Sequence, residues 1–132
     1  MNLRVCYLLP RLVPTPSGGV VGGAAANCVA IALELQRRNV DVELLAPASE
    51  DAVAQLSGQP LMEILRPLPR RDGSLVSRGV GAACALRRGL RERLKTMHFD
   101  VIHSHSGTYP YAVVPLVADG RACARIHSLY CP

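Results

Sequence analysis

Aromatic residues are scarce in this chain of 132 residues, which has no Trp, one Phe and four Tyr. Sequence-independent binding of single-stranded nucleic acid relies on aromatic rings that stack on bases, so this composition disfavours it. The core must be built from Leu, Val, Ile and Ala, because apolar residues make up 49% of the chain. That fraction, with only 19% charged residues, also excludes a disordered chain.

Cysteine is present, but not in the patterns of a disulfide or metal scaffold. The number is odd, five, and no CxxC pair occurs. Most of these thiols lie in apolar runs, which favours a reducing compartment. No N-terminal apolar stretch is long enough for a signal peptide, and no run approaches the roughly 18 residues of a membrane span. We therefore expect a cytoplasmic protein.

Negative charge is in the minority, since 10 acidic residues stand against 15 Lys and Arg and leave a formal net charge of +5. This mild excess suits an anionic partner, which could be a nucleotide, a phosphate, an anionic lipid or nucleic acid. The charge alone selects none of these.

Short apolar runs alternate with helical patterns along the chain. Strands are predicted at 3–9, 40–46, 61–65, 101–103 and 122–127, and helices at 24–38, 80–97 and 110–118. This alternation predicts one α/β domain, a Rossmann-like parallel sheet of about five strands with helices on both faces. In such sheets ligands bind beyond the carboxyl ends of the strands. The loop 14–23, the segment 103–107 and the pair 127–128 all fall there.

The loop 14–23 is rich in glycine and separates a strand from a helix. Glycines there let the backbone approach a phosphate, and the helix N-terminus offers unpaired N–H groups. A flexible connector without a ligand is the alternative. A Walker loop is excluded because no Lys precedes the helix. A dinucleotide-binding fingerprint is also excluded, because Ser17 occupies the position of its first glycine and no acidic residue follows the second strand.

Several segments together resemble a known family. The strand 3–10, the loop 17–23, the helix 24–38, the segment 40–47, the phrase 99–106 and the phrase 125–128 follow one another as in the N-terminal domain of GT-B glycosyltransferases of the retaining family-4 type. The resemblance spans essentially the whole chain. It implies transfer of a sugar from a nucleotide-sugar donor to a hydroxyl acceptor, with retention and without a cofactor.

The resemblance also implies roles for individual residues. Backbone N–H groups of the glycine loop are expected to bind the donor diphosphate, and Gly22 and Gly23 match the family's Gly-Gly best, with Gly18 and Gly19 in a longer loop. His127 matches a catalytic His close to the transferred sugar; a satisfied core His is the alternative. The residues expected to line the acceptor side of the cleft are Asn27, His103, His105, Ser106, Gly107 and Ser128.

His103 and His105 alternate along a strand, so both should point to one side. Such a pair could bind a metal with His127 as a third ligand. Histidines at strand ends more often form hydrogen bonds, so we expect no metal here.

The resemblance implies a second half. The family's donor-binding domain follows its N-terminal domain, so residues 1–132 are expected to be a single, C-terminally incomplete domain with little activity alone. It could be a fragment, or one subunit of a split enzyme. The alternative from another class is a non-catalytic Rossmann-like module that binds a phosphate or nucleotide.

The helix 80–97 carries a row of cations on its surface. Arg87, Arg88, Arg91 and Lys95 could rest on an anionic membrane, as basic helices of some relatives do. A solvated helix face is the alternative, because Glu92 interrupts the row.

Overall fold

The computed structural model describes residues 2–70, 75–105 and 124–128, with the backbone alone at 75–78 and 127. The strands of these segments are β1 (Arg4–Leu8), β2 (Asp41–Pro47), β3 (Leu65–Leu68), β4 (Val101–His105) and β5 (Ala124–Ser128). Their helices are α1 (Gly23–Arg37), α2 (Glu50–Gln55), α3 (Leu61–Ile64) and α4 (Leu75–Leu94).

The strands form one parallel sheet in the order β3-β2-β1-β4-β5. The central strand β1 has β2 on one side and β4 on the other, so the strand order reverses direction at β1. This reversal creates a crevice at the carboxyl ends of β1 and β4, where open α/β sheets bind ligands. The predicted Rossmann-like α/β fold is confirmed.

Alternate residues of the strands face opposite sides of the sheet, and each side is covered by its own helices. On the α1 face, Tyr7 and Leu44 belong to a buried cluster with residues of α1, α2 and α3. On the α4 face, Leu8 and Leu45 pack with Leu86 and other residues of α4. The helices therefore cover both faces, as the sequence predicts.

The end of α1 is closed by a local motif. Val40 donates its N–H to the carbonyl of Leu35, and Asn39 donates its N–H to that of Gln36, both at 3.0 Å. Asn39 has a φ of 62°, the left-handed conformation that such an ending requires.

A charged pair joins α4 to the sheet. Glu43 of β2 is 5% exposed and accepts two hydrogen bonds from the guanidinium of Arg93, the one from Nε at 2.9 Å. Arg66 of β3 lies 3.7 Å from the same carboxylate. The hydrogen bonds to Glu43 raise the pKa of Arg93. This fork compensates the cost of burying the Glu43 charge.

The strand predicted at 61–65 is wrong over most of its length. Residues Leu61–Ile64 form the short helix α3, and β3 begins only at Leu65. At the start of α3, Met62 donates its N–H to the carbonyl of Gln59, and Glu63 donates its N–H to that of Pro60. An apolar run this short does not by itself distinguish a strand from a buried helix.

The other differences concern element ends and one missed helix. The sequence prediction omits α2, whose N-terminus is capped by the Ser49 side chain accepting from the N–H of Ala52 at 3.1 Å. Strand β4 runs two residues further than predicted, to His105. The helix predicted at 110–118 lies outside the described residues. Within the described part of the chain, no helix has both the length and the apolar character needed to cross a membrane.

Candidate functional site

A cavity of about 320 Å³ opens where β1 ends and α1 begins. It therefore lies at the carboxyl edge of the sheet, beside the reversal of strand order. Its wall is formed by the residues after β1, by the first residues of α1 and by the last residue of β4: Leu9, Pro10, Arg11, Val13, Val21, Gly22, Gly23, Ala24, Ala25 and His105. The loop and the strand end that the sequence singles out thus meet at one site.

The loop between β1 and α1 folds into a small hairpin. Pro14 pairs with Val20 in an antiparallel bridge, and Val21 donates its N–H to the carbonyl of Val13 at 2.8 Å. The loop is attached to the sheet by Leu12, which is fully buried and donates its N–H to the carbonyl of Pro47 at 3.2 Å. The hairpin is therefore fixed to the sheet at its base.

Gly18 and Gly19 lie in the turn of this hairpin. Gly18 has a φ of +90° and donates its N–H to the Thr15 carbonyl at 3.1 Å. Gly19 donates its N–H to Thr15 Oγ1 at 3.0 Å. These two N–H groups thus bond within the hairpin, and neither glycine is part of the cavity wall that the structure describes.

Gly22 and Gly23 lie in the cavity wall. Gly22 precedes α1 with a φ of +96°, a conformation that favours glycine. A Cβ added at Gly23 would meet no atom within 4 Å, so the space above this backbone is open. Among the described residues no side chain caps α1, and the first turn of this helix contains no acidic residue. The helix N-terminus can therefore offer unpaired N–H groups and a positive dipole end to an anion.

His105 forms the opposite wall of the cavity and is 1% exposed. It belongs to a cluster of three mutually tilted rings on the α1 face of the sheet. The centroids of His103 and His105 lie 4.1 Å apart, and that of Tyr7 lies 5.2 Å from His103 and 5.4 Å from His105. The prediction that the two histidines share one side of the strand is confirmed.

Ser128 joins this group from β5. Its Oγ lies 2.7 Å from Nε2 of His103, in hydrogen-bonding distance. The register pairs Ser128 with His105 and His127 with Ser104. The structure therefore brings His103, His105 and Ser128 together.

The remaining predicted residues are not at this cavity or are not described. Asn27 is exposed, one turn into α1, and is not part of the described cavity wall. The side chain of His127 lies outside the described part of the structure, and Ser106 and Gly107 lie outside it altogether. Among the described residues, no three His, Cys, Asp or Glu side chains come together as metal ligands would.

Sequence reasoning missed Arg11, which brings a guanidinium to the cavity wall. The signal was available, because Arg11 follows the first strand directly and charged residues at that point of an α/β sheet face the ligand crevice. With Arg11 and the N-terminus of α1 in its wall, the cavity can attract an anion.

The comparison with known protein families gives one result. A family model described as Glycosyltransferase Family 4 matches residues 21–131, which is most of the chain. No curated protein and no solved structure matches it. The matched range includes Gly22, Gly23 and α1, as well as β4 and β5 with their histidines. The chain belongs to glycosyltransferase family 4.

Proposed function

We propose that this chain is the N-terminal, acceptor-side part of a retaining GT-B glycosyltransferase, which transfers a sugar from a nucleotide-sugar donor to a hydroxyl acceptor. Family membership supports the reaction class. The observation that carries the proposal is the cavity at the strand-order reversal, which combines an uncapped helix N-terminus with Arg11 and His105.

In this proposal the donor diphosphate binds at the N-terminus of α1. The backbone N–H groups of Gly22 and Gly23, the helix dipole and the guanidinium of Arg11 stabilise its negative charge. That charge grows when the bond between the sugar and the diphosphate breaks, so these groups favour the transition state over the bound donor. Gly18 and Gly19 then act indirectly, because their hairpin supports the loop.

The acceptor occupies the side of the cleft formed by β4 and β5. The clustered rings of His103 and His105, fixed by Tyr7 and by the bond to Ser128, give this side a rigid polar wall. Ser106 and Gly107, the next residues in the sequence after β4, and Asn27 of α1 are the further residues that we propose for acceptor binding. His127 is the proposed catalytic residue, acting on a sugar hydroxyl or on the charge that develops at the sugar.

In this proposal, binding of the nucleotide-sugar donor also requires a second domain, either further along the same protein or on a separate subunit. Catalysis requires groups placed around one transition state from both sides of a cleft. The described wall covers one side, so we expect this chain alone to bind the diphosphate weakly and to transfer sugar slowly or not at all.

We also propose a peripheral contact between the outer face of α4 and an anionic membrane. A shallow hollow of about 390 Å³ on that face is lined by Arg87, Arg88, Arg91 and Lys95. Each cation near such a surface contributes about 1 kcal/mol. Cosedimentation with vesicles containing anionic lipid tests this contact, and zwitterionic vesicles are the control.

Calorimetric titration of the chain with UDP and GDP tests the diphosphate site. Gly23→Asp introduces a carboxylate into the cavity, and we expect it to weaken binding at least tenfold. Ala26→Asp is the matched control, because Ala26 is exposed in the same helix turn but is not in the described cavity wall. Equal losses of UDP and GDP affinity in Gly23→Asp and Ala26→Asp would contradict the proposed diphosphate site.

A second titration tests His127. The chain is titrated with UDP-glucose and GDP-mannose and with UDP and GDP, before and after His127→Ala. We expect the variant to retain diphosphate affinity and to lose any added affinity due to the sugar. The alternative is a non-catalytic nucleotide-binding module. It would be favoured if the unmodified chain bound the nucleotide sugars no more tightly than the diphosphates, and if no sugar were transferred to any acceptor when a donor-binding domain is added.

A further inference from the structure

A third hollow, larger than the cavity at α1 and the hollow on the outer face of α4, lies on the α4 face of the sheet. It has a volume of about 670 Å³ and runs between α4 and the strands β2 and β3. We call it the α4 groove and define it by its apolar floor, Leu45, Leu68, Pro69 and Val80. Its volume falls in the range of roughly 300–1,000 Å³ typical of small-molecule pockets.

The groove exists because α4 carries small residues where it faces the sheet edge. Gly81, Ala85 and Gly89 follow one another at four-residue intervals, so they share one side of the helix, and all three line the groove. At Gly89 the helix approaches Leu68 so closely that an added Cβ would lie 2.7 Å from Leu68 Cδ2. Val80 in the floor remains 56% exposed, which is high for a large apolar residue.

The charges around the groove do not cancel. Arg93 is engaged by Glu43, and Glu92 pairs with Lys95 at 2.7 Å. Two further cations line the groove: Arg66, which is 3.7 Å from Glu43 and 54% exposed, and Arg88, which has no carboxylate partner among the described side chains. An apolar floor beside two guanidinium groups is suited to a ligand with an apolar chain and a negative head.

The edge of the sheet argues against a peptide strand as occupant. Strand β3 is the outermost of the five strands on this side; Pro67 within it and Pro69 directly after it have no N–H donor. Prolines on an edge strand block the ladder that an added strand would need. A small amphiphile needs no such ladder.

We propose that the α4 groove is a binding site for a single-chain amphiphile with a phosphate head, with the chain on the apolar floor and the head between Arg66 and Arg88. A phosphate monoester carries close to two negative charges at neutral pH, which matches two guanidinium groups better than a carboxylate does. The site lies on the opposite face of the sheet from Gly23 and His105, so it does not depend on the proposed diphosphate site.

Titration with hexyl, octyl and decyl phosphate, each below its micelle concentration, tests the site directly. We expect one molecule per chain and an affinity that rises about tenfold for each two methylenes, as burial of the added chain requires. Decanoate should bind more weakly than decyl phosphate, and decyltrimethylammonium should not bind. The proposal would be overturned if the three alkyl phosphates bound with equal affinity, or if decyltrimethylammonium bound as tightly as decyl phosphate.

Paired variants locate the site. Arg88→Gln should weaken decyl phosphate binding about tenfold, whereas Arg87→Gln, on the neighbouring residue outside the groove, should change it less than twofold. Arg87→Gln should still reduce cosedimentation with anionic vesicles, which separates the groove from the proposed membrane contact. Equal losses of decyl phosphate affinity in both variants would show general attraction to a basic helix and overturn the site.

A measurement on the unmodified chain avoids variants that fold poorly. Cys84 is exposed and lines the groove, so bound decyl phosphate should slow its reaction with iodoacetamide, followed by mass spectrometry of the peptide that contains it. Unchanged alkylation at saturating ligand would overturn the proposal. So would a concentration-dependent dimer that Ala85→Leu abolishes, because the occupant would then be a second copy of the chain.

Discussion

The two faces of the sheet are closed in different ways. On the α1 face, three helices cover the strands, and the larger buried cluster extends from Val5 to Leu65. On the α4 face, the part of the chain that the structure describes supplies one helix, α4, which covers a smaller cluster and is joined to the sheet by the pair of Glu43 and Arg93. Apolar packing closes the body of the α1 face and leaves its cavity at the carboxyl edge of the sheet. A face held partly by a charged pair can keep a groove open beside its helix.

Truncation of one large core residue on each face should give the largest effects. We expect Leu44→Ala on the α1 face to lower the free energy of unfolding by about 4 kcal/mol, and Leu90→Ala on the α4 face by about 2.5 kcal/mol. Both side chains are fully buried, but α4 can shift into the adjoining groove and reduce the cavity. Urea unfolding measures both losses, and equal losses would mean that the two faces are packed equally tightly.

Removal of the charged pair tests what holds α4 in place. Arg93→Ala should cost about 3 kcal/mol, because it leaves the buried Glu43 carboxylate with only the more distant Arg66. Arg87→Ala, on the exposed side of the same helix, should change stability by less than about 0.5 kcal/mol. If the double variant Glu43→Met, Arg93→Met is as stable as the unmodified chain, apolar packing can replace the pair.

The α1 face should lose stability in alkali through one thiol. Burial raises the pKa of Cys28 from 9.0 to about 12. The unfolded chain therefore releases this proton first, so stability is full below pH 9 and falls as the pH rises towards 12. The loss attributable to Cys28 should be about 1.4 kcal/mol at pH 10. The difference in unfolding free energy between pH 8 and pH 10 should shrink by that amount in Cys28→Ala; an unchanged difference would contradict this assignment.

The smallest effect is expected at the end of α1. Asn39→Ala should lower the unfolding free energy by about 1 kcal/mol, because Asn, whose short polar side chain can bond the local backbone, adopts a φ of 62° at lower cost than Ala. Asn39→Gly should be close to neutral, since glycine adopts that conformation freely. Chemical denaturation of both variants measures the difference. Similar losses would show that the Asn39 side chain, and not its backbone conformation, closes the helix.

Much of the fold could be predicted from the chain because the pattern of apolar residues is strong. The helix beginning after Gly22, the strands flanking it and the alternation of the two histidines in β4 all follow from periodicity. The short run 61–65 is misassigned because four apolar residues within five positions fit both a strand and a helical turn. The helix α2 was omitted although Ser49, Glu50 and Asp51 are a typical start signal.

The candidate site was only partly predictable. The glycines and the histidines could be found because glycine between a strand and a helix, and polar residues at strand ends, have known uses. Which of them meet depends on strand order. The sequence did not show that Gly22 and Gly23 line a cavity with His105, or that the N–H groups of Gly18 and Gly19 bond within a hairpin.

By itself the sequence determined the fold class, the family and the two segments on which the site is built, since these depend on local pattern and residue type. Only the tertiary structure decided that Arg11 belongs to the cavity wall, that Ser128 bonds to His103, and that a groove lies beside α4. Each of these is a contact between residues far apart in the chain. Such contacts are set by strand order and by how closely a helix can approach a sheet, which no single segment encodes.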